Sequence, residues 1–195
     1  MDTYVTLQQI DEAADAIRSR TAYKPRVGLI LGSGLNALAD SVQNADFIPY
    51  ADLPNWPRST VHGHAGRLVI GELEGQPVLV MQGRVHFYEG YSMSQVTLPV
   101  RVMVRLGLEM MIVTNAAGGI NPDFVPGDVM LITDNLNLVG MSGANPLMGP
   151  NIDELGPRFP DMSRAYDPEL MEEARKVAIE SKLSLREGVY CGLSG

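Results

Sequence analysis

Three histidines and one arginine carry most of the reactive chemistry available to this chain. His62, His64 and His86 fall within 25 residues, and Arg84 stands two positions before His86. His62-Gly-His64 lies in a polar turn ahead of one apolar run, and Arg84-Val-His86 follows directly on another. Residues two apart in an extended segment point the same way, so Arg84 and His86 can face one ligand. Arginine grips an oxyanion through two parallel N–H bonds, and histidine adds a donor. The plainer reading is a surface arginine with a capping histidine. Zinc is a weaker candidate. His-x-His can supply two ligands, but no acidic or cysteine partner stands at metal spacing, and arginine beside the site repels a cation. No Ser-His-Asp set and no carboxylate pair stands out.

Two glycine turns accompany these residues. Val27-Gly-Leu-Ile-Leu31 reads as a buried strand that breaks at Gly32-Ser33-Gly34 and resumes as Leu35-Asn-Ala-Leu-Ala39, which reads as helix. A strand entering a helix through such a turn leaves backbone N–H groups that bind anions, and the Ser33 hydroxyl adds a donor. A tight turn with no ligand fits the same residues. The pattern is neither a dinucleotide fingerprint nor a P-loop, since no third glycine and no Gly-Lys-Ser/Thr follow. Met110-Met-Ile-Val-Thr114 reads as a second buried strand, broken by Asn115-Ala-Ala-Gly-Gly119, whose small side chains let a flat ligand approach the backbone. In Phe87-Tyr88-Glu89-Gly90-Tyr91, Tyr88 lies either against a sugar face or in aromatic packing on the core. These pieces imply a pocket that holds an anion beside an uncharged partner and uses no covalent nucleophile.

The elements that must position them follow from periodicity. Leu7, Ile10, Ala13, Ala14 and Ile17 recur at helical spacing, predicting an amphipathic helix over 5–20. Leu68-Val-Ile70 and Val78-Leu-Val-Met81 flank Glu74-Gly75 as a hairpin, and Phe47–Tyr50 reads as edge strand or loop. A helix is expected from Thr97 to Leu106, with Pro99 in its first turn and Gly107 as its stop. Val129–Ile132 predicts a third strand and Gly188–Cys191 a further one, with a helix from Asp167 to about Ser181 between them. Leu138–Pro160 has little periodicity and many glycines and prolines, as long functional loops do. The expectation is one α/β domain over 1–195, with a central mixed, mostly parallel sheet flanked by helices and ligands beyond the carboxyl ends of the strands.

Composition excludes several classes. The 195 residues are 45% hydrophobic and 19% charged, as in globular chains, and fit one domain with a sizeable core. A net charge of −8 argues against nucleic acid or an anionic membrane as partner, so any anion site is a local pocket. The single cysteine, Cys191, reads as a buried structural thiol and implies a reducing compartment. The 11 methionines read as core filler, and Trp56 as packing. No leader pattern or membrane-length apolar run appears, which predicts a cytoplasmic protein.

Together these segments resemble the trimeric class of purine nucleoside phosphorylases. The matching stretches are Leu31–Leu35, Ser59-Thr-Val-His-Gly-His-Ala-Gly66, Gln82-Gly-Arg-Val-His-Phe-Tyr-Glu-Gly-Tyr91, Thr114–Gly119, Asn145–Asn151, Arg158–Ser163 and Glu187–Tyr190. The resemblance implies phosphorolysis of purine ribo- and deoxyribonucleosides, with inorganic phosphate as co-substrate and no metal or organic cofactor. By similarity, Ser33, His64, Arg84, His86 and the Ala116 backbone hold phosphate, with His86 also facing the sugar as the catalytic group. Tyr88 covers the ribose, and Ala116, Ala117 and Gly118 line the base pocket. Phe159 resembles the aromatic residue that closes a neighbouring subunit's site in a homotrimer. His62 falls at a variable family position and is left out of the site. Family members continue past Ser194-Gly195 into a segment carrying the purine-recognising glutamate, a phosphate-binding serine and an asparagine at the purine. The sequence is therefore expected to lack the family's C-terminal part, and whether these 195 residues turn over is left open. An inactive phosphate- or nucleoside-binding fragment, or a methylthioadenosine phosphorylase, are the alternatives.

Overall fold

The alternating apolar residues of the first hundred positions become one sheet with two covered faces. The structure, a computed structural model, describes residues 4–32, 34–58 and 66–193. It divides into two compact units, the first formed by 1–116 and 146–158, the second by 117–145 and 159–195. The first unit holds α1 (Leu7–Arg18), β1 (Val27–Ile30), α2 (Asn36–Asp40), β2 (Gln43–Pro49), β3 (Arg67–Leu73), β4 (Gln76–Gln82), α3 (Met93–Val96), α4 (Leu98–Leu106) and β5 (Met110–Val113). The strands form a single sheet in the order β2-β3-β4-β1-β5. β1 pairs parallel with both β4 and β5, whereas β2–β3 and β3–β4 are antiparallel.

Side chains alternate across each strand and so sort into two cores. Ile30, Leu68, Ile70, Leu79 and Met81 pack against Ile10, Ala13, Ala14 and Ile17 of α1 and Leu98, Val102 and Met103 of α4. Leu29, Leu31, Val69, Val78 and Val80 face the other way, onto Ala39 of α2 and Val42. Local signals set the element ends. Thr6 accepts from the Gln9 N–H while the Gln9 side chain accepts from the Thr6 N–H, closing the start of α1. The hairpin turn puts Glu74 and Gly75 at φ 49° and 73°, the two positive values that suit a two-residue connection. Gly107 ends α4 at φ 90°, and the Leu108 N–H reaches back to Met103 O at 3.1 Å.

The second unit contains β6 (Val129–Asn137), α5 (Leu138–Met141), α6 (Pro168–Glu180) and β7 (Leu185–Gly192). β6 and β7 pair parallel as a two-stranded sheet, and Asp167 caps α6 through the N–H groups of Glu169 and Leu170. Arg175 of α6 makes two parallel bonds to Glu187 of β7, at 2.7 and 2.9 Å, and holds that carboxyl below its ordinary range. Of the five strand pairs among the described residues, three are parallel.

Several sequence expectations change. Met111, Ile112 and Val113 are 42–51% exposed, not buried, because β5 is the last strand of its sheet and, among the described residues, pairs with β1 alone. β6 runs past Ile132 to Asn137, and β7 begins at Leu185. The Leu138–Pro160 stretch contains α5 and a 3-10 turn at Asp153–Leu155. Met81 and Met103 fill the core, but Met141 and Met162 are exposed, and Cys191 is half-buried on β7. Trp56 is buried beside Tyr50, as packing requires. Among the described residues no helix is long and apolar enough to cross a membrane.

Candidate active site

Because β4, β1 and β5 are parallel and adjacent, their carboxyl ends share one edge of the sheet, where α/β proteins place ligands. A cavity of about 310 Å³ lined by Ile17, Tyr23, Pro25 and Leu106 lies at the other end, before β1. Beyond the carboxyl ends the chain leaves as Gly32, Gly83-Arg84 and Thr114-Asn115. Thr114 joins the three. Its hydroxyl accepts from the Gly32 N–H at 2.8 Å and donates to Ile30 O at 3.2 Å, while its carbonyl accepts from Arg84 Nη1 at 2.5 Å. A hydroxyl has one hydrogen and two lone pairs, so one side chain completes both turns. Gly32 is required by space here. A Cβ would stand 2.7 Å from Thr114 O and 3.0 Å from Asn115 Cα.

The loop after β4 holds the second pair of groups. His86 Nδ1 lies 3.0 Å from Glu89 Oε1, and the His86 backbone N–H donates to the same oxygen at 2.7 Å. A carboxylate only accepts, so Nδ1 carries the hydrogen and the imidazole orientation is set. The Glu89 side chain is 2% exposed and that of His86 25%. Tyr88 stacks on His86 with ring centres 4.8 Å apart and 12° between planes. At 59% exposure Tyr88 is not core packing.

Buried polar groups tie this edge to the sheet. Gln82, at the end of β4, donates from Nε2 to Asn36 O at 3.2 Å and accepts from Arg67 Nε at 2.6 Å. The first residue of α2 is thereby fixed to β4, just beyond the first glycine turn. Tyr50 donates its hydroxyl to Gly83 O at 2.7 Å, and its burial pushes the phenol far above its ordinary pKa.

Of the residues singled out in the sequence, Ser33, His62 and His64 lie outside the described residues. Arg84 and Thr114 are joined directly, and His86 and Tyr88 are joined by stacking. Ala116 is exposed, with its carbonyl 3.4 Å from Asn115 Nδ2. Ala117 and Gly118 open the second unit and are exposed, and a Cβ on Gly118 would meet nothing within 4 Å. Phe159, also in the second unit, is 87% exposed. Sequence reasoning assigned no role to Glu89, Thr114, Gln82 or Tyr50. Only Glu89 had a local signal, its spacing of three from His86, which suits a side chain reaching back to a backbone N–H.

A model of the phosphorylase superfamily matches residues 26–195. Purine nucleoside phosphorylase 1 of Geobacillus stearothermophilus is 55% identical over 186 residues, covering 95% of this chain and 67% of that protein. The chain belongs to the purine nucleoside phosphorylases. The mouse purine nucleoside phosphorylase is 47% identical over 197 residues, covering 100% of this chain and 68% of the mouse protein. Among solved structures, isoform 2 from Schistosoma mansoni with cytosine and ribose-1-phosphate superposes with a TM-score of 0.93 at 43% identity. The Schistosoma mansoni phosphorylase with inosine gives 0.92 at 42%. Each match covers 98% of this chain and 68% of the solved chain. The mixed sheet with helices on its faces is the phosphorylase fold.

Thr114→Val keeps the shape of the side chain and removes the hydroxyl that the Gly32 N–H needs. Urea unfolding is expected to show a loss of about 1–3 kcal/mol, the usual cost of an unpaired part-buried donor. Unchanged stability would mean that Thr114 does not join the strand ends.

Proposed function

We propose that this phosphorylase catalyses reversible phosphorolysis of purine ribonucleosides and deoxyribonucleosides. A phosphate oxygen forms a bond to C1′ as the bond from C1′ to the purine nitrogen breaks. The electron pair leaves with the base, which takes up a proton, and the sugar departs as its 1-phosphate. As the bond loosens, positive charge builds on the sugar beside the phosphate. The protein's task is then positioning and electrostatics, with no covalent intermediate.

The observation that carries this reading is Arg84, a half-buried guanidinium anchored to Thr114 O at the shared carboxyl edge of β4, β1 and β5. In this reading Arg84 and His86 bind phosphate with Ser33, His64 and the Ala116 backbone, while His86 also meets the sugar. The Glu89 carboxylate holds the His86 ring for that contact. Tyr88 lies over the ribose, and Ala116, Ala117 and Gly118 offer backbone and a flat surface to the purine. Phosphate is the co-substrate and no further cofactor takes part. The lone cysteine supports a reducing compartment, and we assign the enzyme to the cytoplasm.

Phe159 supports a subunit contact, because a phenyl ring left 87% exposed gains most by burial against another protomer, and we assign that contact to the homotrimer that the family resemblance implies. Light scattering at micromolar concentration is expected to give three times the protomer mass, and a monomer would contradict it. For the anion site, Arg84→Ala is expected to weaken phosphate binding by about 1.5–3 kcal/mol, the range for a charged hydrogen bond. Equal phosphate affinity in a folded variant would remove Arg84 from the site.

A further inference from the structure

Gly83 stands between the end of β4 and Arg84 with φ at 97°, a region that glycine enters and leaves at little cost. A cation launched from so permissive a residue is well aimed only if its peptide plane is held from outside. Arg84 Nη1 fixes the far end of the side chain on Thr114 O. The near end is the peptide between Gly83 and Arg84, and its carbonyl accepts from the Tyr50 hydroxyl at 2.7 Å. Tyr50 is 3% exposed and its ring packs 5.5 Å from that of Trp56. Burial keeps the phenol protonated well beyond neutral pH, so it is a permanent donor. The Tyr50 backbone N–H donates to Gly66 O at 2.8 Å, and the Gly66 N–H donates in turn to Gln82 O at 3.1 Å. One residue thus ties the end of β4, the start of the Arg84 turn and Gly66 into a closed set.

We propose that Tyr50 is a positioning residue for phosphate: its hydroxyl fixes the Gly83–Arg84 peptide and so presents Arg84 to the anion. The inference rests on the phosphorolysis reading but concerns only its phosphate half. Tyr50 touches no substrate. Its loss is read in phosphate affinity and leaves nucleoside affinity unchanged.

Tyr50→Phe keeps the ring against Trp56 and removes one hydroxyl. Inorganic phosphate is titrated calorimetrically into wild type, Y50F and Y23F. Tyr23 precedes β1, away from the Arg84 turn, and Y23F also loses a hydroxyl bonded to a backbone carbonyl, that of Asn44 in β2. The phosphate Kd of Y50F is expected to rise about three- to tenfold, the effect of one hydrogen bond, with Y23F equal to wild type. In steady-state assays the phosphate KM follows, while the inosine KM stays within about twofold, a split that general destabilisation does not produce. Amide exchange of phosphate-free Y50F is expected to quicken over 83–86 and to match wild type in β3 and β4. That measurement also reads a variant too unstable to assay, since faster exchange everywhere overturns the proposal. Equal phosphate Kd in wild type and Y50F overturns the Tyr50 inference alone. No phosphate binding by wild type overturns it together with the phosphorolysis reading.

Discussion

The candidate site depends on one hydroxyl placed between parallel strands. Neighbouring strands lie about 4.8 Å apart, and the β1–β5 ladder runs on to a Thr114 N–H bond to Ile30 O at 3.0 Å, beyond which the Gly32 N–H bonds a side chain instead of a carbonyl. The Thr114 hydroxyl extends the join by accepting from the Gly32 N–H and donating to Ile30 O. The same residue's carbonyl receives Arg84 from the neighbouring β4 turn, so three strand ends become one rigid edge. Gly32 must stay without a side chain for the approach to exist, since a Cβ would meet Thr114 O at 2.7 Å. The core on both faces of the sheet serves this edge. Val78, Val80, Leu79 and Met81 lock β4 between two apolar layers, and the register that follows sets where Arg84 emerges.

Charge is organised on the same local scale. The chain carries a net charge of −8, so its overall field repels phosphate at long range and attraction must come from the site itself. Arg84 supplies a permanent cation, aimed by its bond to a backbone carbonyl. His86 is treated differently. A nearly buried carboxylate, Glu89, sets its tautomer and holds its ring beside Tyr88. One group is built for constant charge and the other for directed hydrogen bonding, which suits a reaction that binds an anion and stabilises a developing cation.

Most of the fold could be read from the sequence because its signals are local. The helical spacing of Ile10, Ala13, Ala14 and Ile17, the alternation of Leu68–Ile70 and Val78–Met81, the Glu74-Gly75 turn and the Gly107 stop each specify an element without reference to the rest. Strand burial was harder. Met110–Val113 is as apolar as β1, yet Met111, Ile112 and Val113 are exposed because, among the described residues, the strand pairs on one side, and sheet order is a global property. The site divides in the same way. Arg84 and His86 were legible as reactive types two residues apart. Thr114, Gln82 and Tyr50 were not, because their partners lie 15 or more residues away in sequence, as with Gln82 and Arg67 (15 apart), Thr114 and Arg84 (30) or Tyr50 and Gly83 (33). An ordinary threonine or tyrosine acquires such a role only once the strands are in register.

The central claim is that this edge binds phosphate for attack on a nucleoside. Incubation of the protein with inosine, followed by phosphorus NMR and base chromatography, tests it most directly. The account predicts equal amounts of hypoxanthine and ribose 1-phosphate, formed only when inorganic phosphate is present. Hypoxanthine released at the same rate without phosphate, or no base released with it, would contradict the account.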